Sequence, residues 1–536
     1  MNNPLTLNDM LMSNPQLNHS TLQLRLPLDV STMIRFDDPV TSFLDVMEGV
    51  NLNKYLRNPN QGIGRNGYDP KAMLRIVLFA YTINVRSTRK IEDLCRNDIR
   101  FMYLSDEITP SHMSICNFIN NYLLNNIEDI SNDIIKYLIE QNKTDILKIF
   151  IDGTKVEGRP NKYTWVWKKA CITNRDKKFN ELTGIFNSIN EEYKYEANMF
   201  IETKETYTIE EVESVVDLLK KKAEEEGIIF TSVKRSKKTK LQKTHDEVVK
   251  ILSKLKEYAE KIEICGEHRN SYSKTDHDAT FMRTKTDYMG NTALLPAYNI
   301  QYSNAGEFIL CALTSQFCSD NKCFIPLMEK YKAIFGHYPE KAVGDAGYGT
   351  LETYEFCEKN NIGKFMKFAS WKRETHDKKY HNDPFRMINF KIDEEGNPVC
   401  PNGKRFFKIG EKVIRGNADK RTEEIYQCED CKGCPFRDKC NKLDGNRKIN
   451  VNRALTAYHQ EVIDNLASEE GIELRMTRSY MAEGAFGVVK EDYNYKRITR
   501  TTLKKVNLEV YLVIIGFNIK KHHNLKFRKD NKKAVN

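Results

Sequence analysis

The chain has 536 residues, 40% of them hydrophobic, enough for several packed units rather than one core. Its 84 Lys and Arg outnumber its 74 Asp and Glu, giving a formal charge of +10, a balance that mildly favours a polyanionic partner. The longest strongly apolar stretch, residues 510–519, is too short for a bilayer, which needs about 20 residues. The polar start Met1-Asn2-Asn3-Pro4 carries no export pattern. A cytoplasmic, nucleoid-associated protein is therefore expected, in which the 13 cysteines stay reduced and clustered ones suggest metal.

Residues 1–30 read as a flexible arm and residues 31–135 as an all-α domain. Asp69 before Pro70 is a helix start, a capping carboxylate followed by a residue whose missing N–H costs nothing. Met73, Leu74, Val77 and Tyr81 form its apolar face. A second helix starts at Ser87 and carries Ile91, Leu94 and Cys95. A third starts at Thr109-Pro110, with Ile115, Phe118, Ile119 and Tyr122 inward and Ser111, Ser114, Asn117 and Asn121 on the opposite face. With a short turn between the last two helices, the segment reads as a helix-turn-helix entering a major groove or as a plain bundle with a polar face.

Residues 145–170 read as strands, and 207–264 as an inserted helical hairpin. Thr208 and Glu211 make a capping box, Val212, Val215, Val216 and Leu219 follow at helical spacing, and Gly227 ends the helix. The return helix carries Val248, Leu252, Leu255, Tyr258 and Ile262. Between them runs a basic stretch with Lys234, Arg235, Lys237, Lys238, Lys240 and Lys243, either a solvated linker or a set of phosphate contacts led by Lys237 and Lys238. Strands are expected near 297–301, 308–315, 341–345 and 363–368, alternating with helices in an α/β core. Residues 371–450 are a second insertion rich in Cys, Lys and Arg. From 453 the chain reads as helical, so the core comprises 145–370 and 453–520, followed by a frayed basic tail, 521–536.

Two acids end apolar runs: Asp152 after Ile149-Phe150-Ile151, and Asp345 after Ala342-Val343-Gly344 and before Ala346-Gly347-Tyr348-Gly349. Glu483, Phe486, Gly487 and Lys490 share one face of a later helix, with Arg478 upstream. An Asp at a strand end is by itself ordinary turn chemistry, and a helix face with acid and base is as readily a salt-bridged core. Jointly, two strand-end acids and one on a packed helix suit Mg²⁺ or Mn²⁺, which take oxygen ligands. Two such ions about 4 Å apart activate an attacking oxygen and stabilise a leaving one.

Ile151-Asp152-Gly153-Thr154-Lys155, Gly344-Asp345-Ala346-Gly347-Tyr348 and Glu483-Gly484-Ala485-Phe486-Gly487 with Lys490 resemble the DDE transposases of bacterial insertion sequences. Residues 163–168 and Ser273-Lys274-Thr275-Asp276 share the likeness, which spans roughly 31–520. The resemblance implies an α/β RNase H-like catalytic core, interrupted by the hairpin and the Cys-rich insertion and preceded by the helix-turn-helix-like domain. It implies Asp152, Asp345 and Glu483 as a catalytic, Mg²⁺-binding trio. It also implies cleavage at the terminal inverted repeats, joining of the freed 3′-OH to target DNA, and a homodimer on paired ends. Arg478, Lys490, Ser111, Ser114 and Asn117 are the accompanying DNA-contact candidates. The chain departs from the family pattern at Ser479 (Arg in the family), Met476 (Tyr) and Thr501 (Gly). Two alternatives follow: a catalytically inactive, transposase-derived DNA-binding protein, and an RNase H-like nuclease without joining activity.

Cys428-x₂-Cys431-x₂-Cys434-Pro435-x₄-Cys440 is dense enough for structural Zn²⁺, which four thiolates hold tetrahedrally. An iron–sulfur site and free thiols are the other readings, and Cys400 is a further candidate ligand. His277, between Asp276 and Asp278, reads as a metal ligand or as a solvated turn.

Overall fold

The computed structural model describes residues 30–56, 67–231, 237–284, 293–413, 422–487, 489 and 495–534. The N-terminal arm, Lys234, Arg235 and Lys490 lie outside the described residues.

The N-terminal helices begin where their caps dictate. The Asp69 carboxylate accepts from the Lys71 and Ala72 amides at 3.2 and 3.1 Å, opening Pro70–Thr82, and Ser87 opens Thr88–Asn97. Met73, Leu74, Val77 and Tyr81 are all buried. The third helix, His112–Asn117, is capped by Ser111 rather than Thr109. The short turn expected before it is replaced by another helix, Ile99–Leu104, because Asp98 caps a new start and Phe101 and Leu104 find cover in the core. Glu92 holds the third helix against the second, accepting from the His112 amide at 2.9 Å and meeting its ring Nδ1 at 2.8 Å.

Eight strands follow: β1 (Lys148–Glu157), β2 (Trp165–Trp167), β3 (Ser271–Ser273), β4 (Thr280–Arg283), β5 (Leu294–Ala305), β6 (Phe308–Ser315), β7 (Lys341–Gly349) and β8 (Gly363–Phe368). The main sheet runs β4-β5-β1-β7-β8, with β6 also paired to β5. The β6–β5 and β5–β1 pairs are antiparallel, while β1–β7 and β7–β8 are parallel. Parallel neighbours need a crossover; Phe324–Phe335 precedes β7 and Leu351–Lys359 links it to β8.

The last helix, Leu503–Ala534, joins the two ends of the chain. It packs on β6 and on helices Pro39–Gly49, Pro70–Thr82 and Ile127–Asn142. At Gly516 a Cβ would lie 2.4 Å from the Tyr81 backbone, so glycine is what permits the crossing. Buried Asn518 donates to the Ile309 carbonyl at 2.8 Å and accepts from its amide at 3.0 Å, satisfying part of the outer edge of β6. The segment expected as a frayed tail continues the helix to Ala534. Lys521 and Arg528 pair with Glu307 at 3.1 and 2.8 Å, and Lys526 pairs with Asp45 at 2.8 Å, pinning the continued helix.

Both insertions are self-contained. The first is larger than the expected hairpin: Lys168–Glu192 joins Ile209–Glu225 and Lys240–Cys265 in a three-helix unit. Phe179, Leu182, Phe186 and Ile189 bury the added helix against Val212, Val216, Val248 and Leu252. The Thr208–Glu211 capping box forms, and Gly227 follows the helix end with φ of +66°. The second insertion carries β9 (Lys391–Ile392), β10 (Pro398–Val399), β11 (Phe406–Val413), β12 (Thr422–Cys428) and β13 (Lys448–Val451), the last three forming an antiparallel sheet. Among the described residues no helix is long and apolar enough to cross a membrane.

Candidate active site

Asp152 and Asp345 come together through strand register. β1 and β7 pair in parallel up to Phe150 beside Val343. Asp152 and Asp345 each follow two residues after this last paired rung, and the charges of both act on the Tyr348 phenol. Pairing of β7 with β8 breaks off after Gly344 and resumes only at Gly349, so the segment with Asp345 leaves the sheet and Ala346 and Gly347 are exposed. The Asp345 carboxylate accepts from the Gly347 amide at 2.8 Å, and that of Asp152 from the Gly153 amide at 2.9 Å. Each acid thus has a local donor that fixes its rotamer.

Beneath them lies a polar network that the sequence reading did not single out. Asp320 accepts from Asn299 Nδ2 at 2.7 Å and Gln301 Nε2 at 2.8 Å, while the Tyr348 hydroxyl donates to Gln301 Oε1. Asn299 and Gln301 are fully buried. Gly153 pairs with Gln301 across β1 and β5, and a Cβ on it would stand 2.1 Å from Gln301 Nε2. Burial, followed by the negative charges of Asp320, Asp152 and Asp345, holds the Tyr348 phenol well above its ordinary range, so Tyr348 stays a hydrogen-bond donor. One signal for the network was available: Asn299, Gln301 and Ser303 alternate in a strand whose other residues are largely apolar.

Helix Glu469–Arg478 continues as a π-helical turn, Ser479–Glu483, which packs on β1 and β5. The Glu483 backbone therefore stands on the sheet that carries both aspartates; its side chain lies outside the described residues. Arg478 Nη2 is 3.5 Å from Asp152 Oδ1. Among the described residues no three His, Cys, Asp or Glu side chains converge on a metal site. Two carboxylates just past the paired ends of adjacent strands nevertheless supply the kind of oxygen donor that Mg²⁺ takes.

The remaining candidates are dispersed. Ser111 caps its own helix and bonds the Ser114 hydroxyl at 3.0 Å, while Asn117 is exposed. That helix turns His112, Met113 and Cys116 into a cleft of about 550 Å³ shared with Arg89, Arg159 and Lys505. Lys238 pairs with Asp246 at 2.6 Å, and Lys237 is exposed. Asp276 and Asp278 are structural: they accept from the Thr502 and Leu503 amides at 3.1 and 2.8 Å, capping the final helix from across the molecule. His277 between them is exposed and packs against Tyr272. In the Cys-rich insertion, burial pushes the Cys428 thiol up to about 12, and neighbouring Cys431 and Cys400 add to the shift. Cys440 Sγ accepts instead from Arg447 Nη1 at 2.9 Å, and Cys434 follows at the turn after Cys431.

Comparison with known proteins bears on this arrangement from both ends of the chain. Residues 28–121 match a family described as "Transposase domain (DUF772)", and residues 399–523 match one described as "Transposase DDE domain". The first covers the N-terminal helices; the second runs from the Cys-rich insertion through the Glu483 turn into the final helix. Asp152 and Asp345 lie between the two matched segments. No curated protein and no solved structure matches the chain. A transposase domain and a transposase DDE domain, matched in this order on a mixed α/β framework, support a DDE transposase of an insertion-element type.

Proposed function

We propose that the protein binds the ends of its own insertion element, cleaves DNA there with divalent metal and joins the 3′-OH ends to target DNA. The observation that supports this reading is that Asp152 and Asp345 each follow two residues after the last paired rung of the adjacent parallel strands β1 and β7, where the pairing of β7 with β8 is interrupted. The sheet order, three antiparallel strands followed by two parallel to β1, fits an RNase H-like core. Asp152, Asp345 and Glu483 would hold Mg²⁺ or Mn²⁺, which when bound activates the attacking oxygen and stabilises the leaving one.

The protein's own groups do the rest. The Gly153 and Gly347 amides hold the two carboxylates in place before substrate arrives. The Asp320–Gln301–Tyr348 network supports them from below, so that little reorganisation remains for the reaction itself. Arg478 balances the Asp152 charge, and Lys490 is placed by sequence to bind a phosphate. The cleft lined by Arg89, Arg159 and Lys505, beside the helix opened by Ser111, supplies cations for the phosphates of the element's end. In the Cys-rich insertion, Cys428, Cys431, Cys434 and Cys440, with Cys400 near the first two, remain the candidate holders of a structural Zn²⁺, and Lys237 and Lys238 remain candidate phosphate contacts.

The test is a Mg²⁺-dependent nicking assay on DNA carrying the element's ends. Asp345→Asn and Asp152→Asn should each lower the cleavage rate by about a thousandfold or more, since several kcal/mol of charge stabilisation are lost, while DNA binding persists. Equal cutting by wild type and Asp345→Asn would remove both aspartates from the chemistry.

A further inference from the structure

A cleft of about 470 Å³ opens directly beside Asp345, lined by Ala346, Lys367, Phe368, Trp371, Lys372 and Arg475. Its charge is one-sided. Several cations elsewhere in the core are paired: Lys364 with Glu461 at 2.8 Å, Lys330 with Glu128 at 2.5 Å, Lys341 with Glu470 at 2.5 Å. Among the described residues none of Lys367, Lys372 and Arg475 has a carboxylate within ion-pair distance; Arg475 bonds only the Gly471 carbonyl of its own helix, at 3.4 Å.

The cations are gathered on one aromatic ring. Lys367 Nζ lies 4.9 Å and the Arg475 guanidinium 5.4 Å from the centre of Trp371. Burial and the nearby Arg475 and Arg478 charges lower the Lys367 pKa, with Asp345 the one opposing influence. Trp371 is 7% exposed and its Nε1 is buried without a hydrogen-bond partner. A buried donor without an acceptor is destabilising, and like charges held together add to that cost. An anion with several acceptor oxygens relieves both.

We propose that this cleft is a phosphodiester subsite that seats the DNA backbone next to the bond cut at Asp345, with Lys372 and Arg475 on its phosphates and Trp371 Nε1 donating to a phosphate oxygen. This rests on the reading of the protein as a DNA-cleaving transposase and adds the strand's path beyond the two aspartates. The cleft lies on the β8 side of Asp345, where chain order alone marks nothing: Lys367, Trp371 and Lys372 precede the second insertion, and Arg475 follows it.

The test uses the full-length protein in EDTA, so that binding is read without cleavage. The probe is a labelled duplex taken from the border of the element. The logarithm of affinity is measured against the logarithm of salt for wild type and for the Lys372→Ala/Arg475→Ala double variant. Each lost phosphate contact reduces the slope by about 0.9, so a slope shallower by about 1.8 is expected; an unchanged slope overturns the proposal.

Location is tested with neutral methylphosphonates at the phosphates flanking the border. They should flatten the wild-type slope and do nothing further in the double variant. Additive effects would mean that the cations touch other phosphates, and would also overturn it. Trp371→Phe, which keeps the ring and loses the donor, should weaken binding a few-fold at fixed salt with no change of slope. A nicking assay with Mg²⁺ run beside these measurements judges the broader reading separately. Slope loss without nicking retains the subsite and removes the nuclease; nicking with an unchanged slope does the reverse.

Discussion

The segments that build the sheet and the segments that interrupt it are stabilised in different ways. Residues from Val40 to Ile519 contribute to one hydrophobic core that includes the N-terminal helices, the sheet and the final helix. The helical insertion has a core of its own, from Phe179 to Leu255. The Cys-rich insertion has a third, around Phe390, Phe406, Tyr426 and Ile449. The N-terminal helices, read from sequence as a separate domain, thus belong energetically with the sheet, whereas the two insertions hang from it. The reason is Leu503–Ala534, whose apolar centre, Val510 to Ile519, is buried on all sides. A helix without a polar face needs cover all round, and it obtains this by joining the first helices to β6.

The sharpest way to break this contrast is at Gly516. Any side chain there meets the Tyr81 backbone, which cannot rotate away as a side chain would. Gly516→Leu should cost about 3 kcal/mol or more through overpacking and lower the urea midpoint of the N-terminal helices and the sheet together. Separate transitions for the two would show that they are independent domains after all.

What the sequence made legible follows the same division. Local signals were read correctly: the Asp69 cap, the Thr208–Glu211 box, and strands at 308–315 and 363–368 that match β6 and β8. The aspartates at 152 and 345 were visible because each ends an apolar run. Features that depend on contacts distant in sequence were not visible. The Ile99–Leu104 helix exists because Phe101 and Leu104 are covered by the core. The Asp276 and Asp278 caps act on amides more than two hundred residues away. Asp320 beneath the site is recognisable only once β5 brings Asn299 and Gln301 to it. The helix Lys168–Glu192 was a different kind of miss, since Phe179, Leu182, Phe186 and Ile189 are spaced as a helix face requires.

A smaller effect is expected from removing the helical insertion. β2 and β3 pair with Trp167 opposite Ser271, so a short turn can replace residues 169–269. Tyr272 and Val166 would lose the cover of Cys171 and Cys265, at a cost of about 2 kcal/mol by apolar area. The shortened protein should still unfold in one cooperative transition. A loss comparable to that of Gly516→Leu would mean that the insertion is part of the core.

The smallest effect sharpens the contrast by pH. His523, on the final helix, is 9% exposed and its Nδ1 lies 3.0 Å from the Ser42 hydroxyl of Pro39–Gly49. Burial holds its pKa below the ordinary value; Asp38 and Asp37 oppose that, and Lys526 and Lys520 add to it. The unfolded chain therefore binds the proton first as pH falls. The stability linked to His523 is complete above the ordinary histidine pKa, about 6.5, and is lost as pH falls through the lower folded value. Thermal melts of wild type should drop between pH 7 and pH 5 by slightly more than those of His523→Gln. Because the histidine lies at the seam between the first and last helices, the protein without its helical insertion should show the same difference. Its disappearance on deletion would tie that seam to the insertion and erase the distinction between the shared core and its appendages.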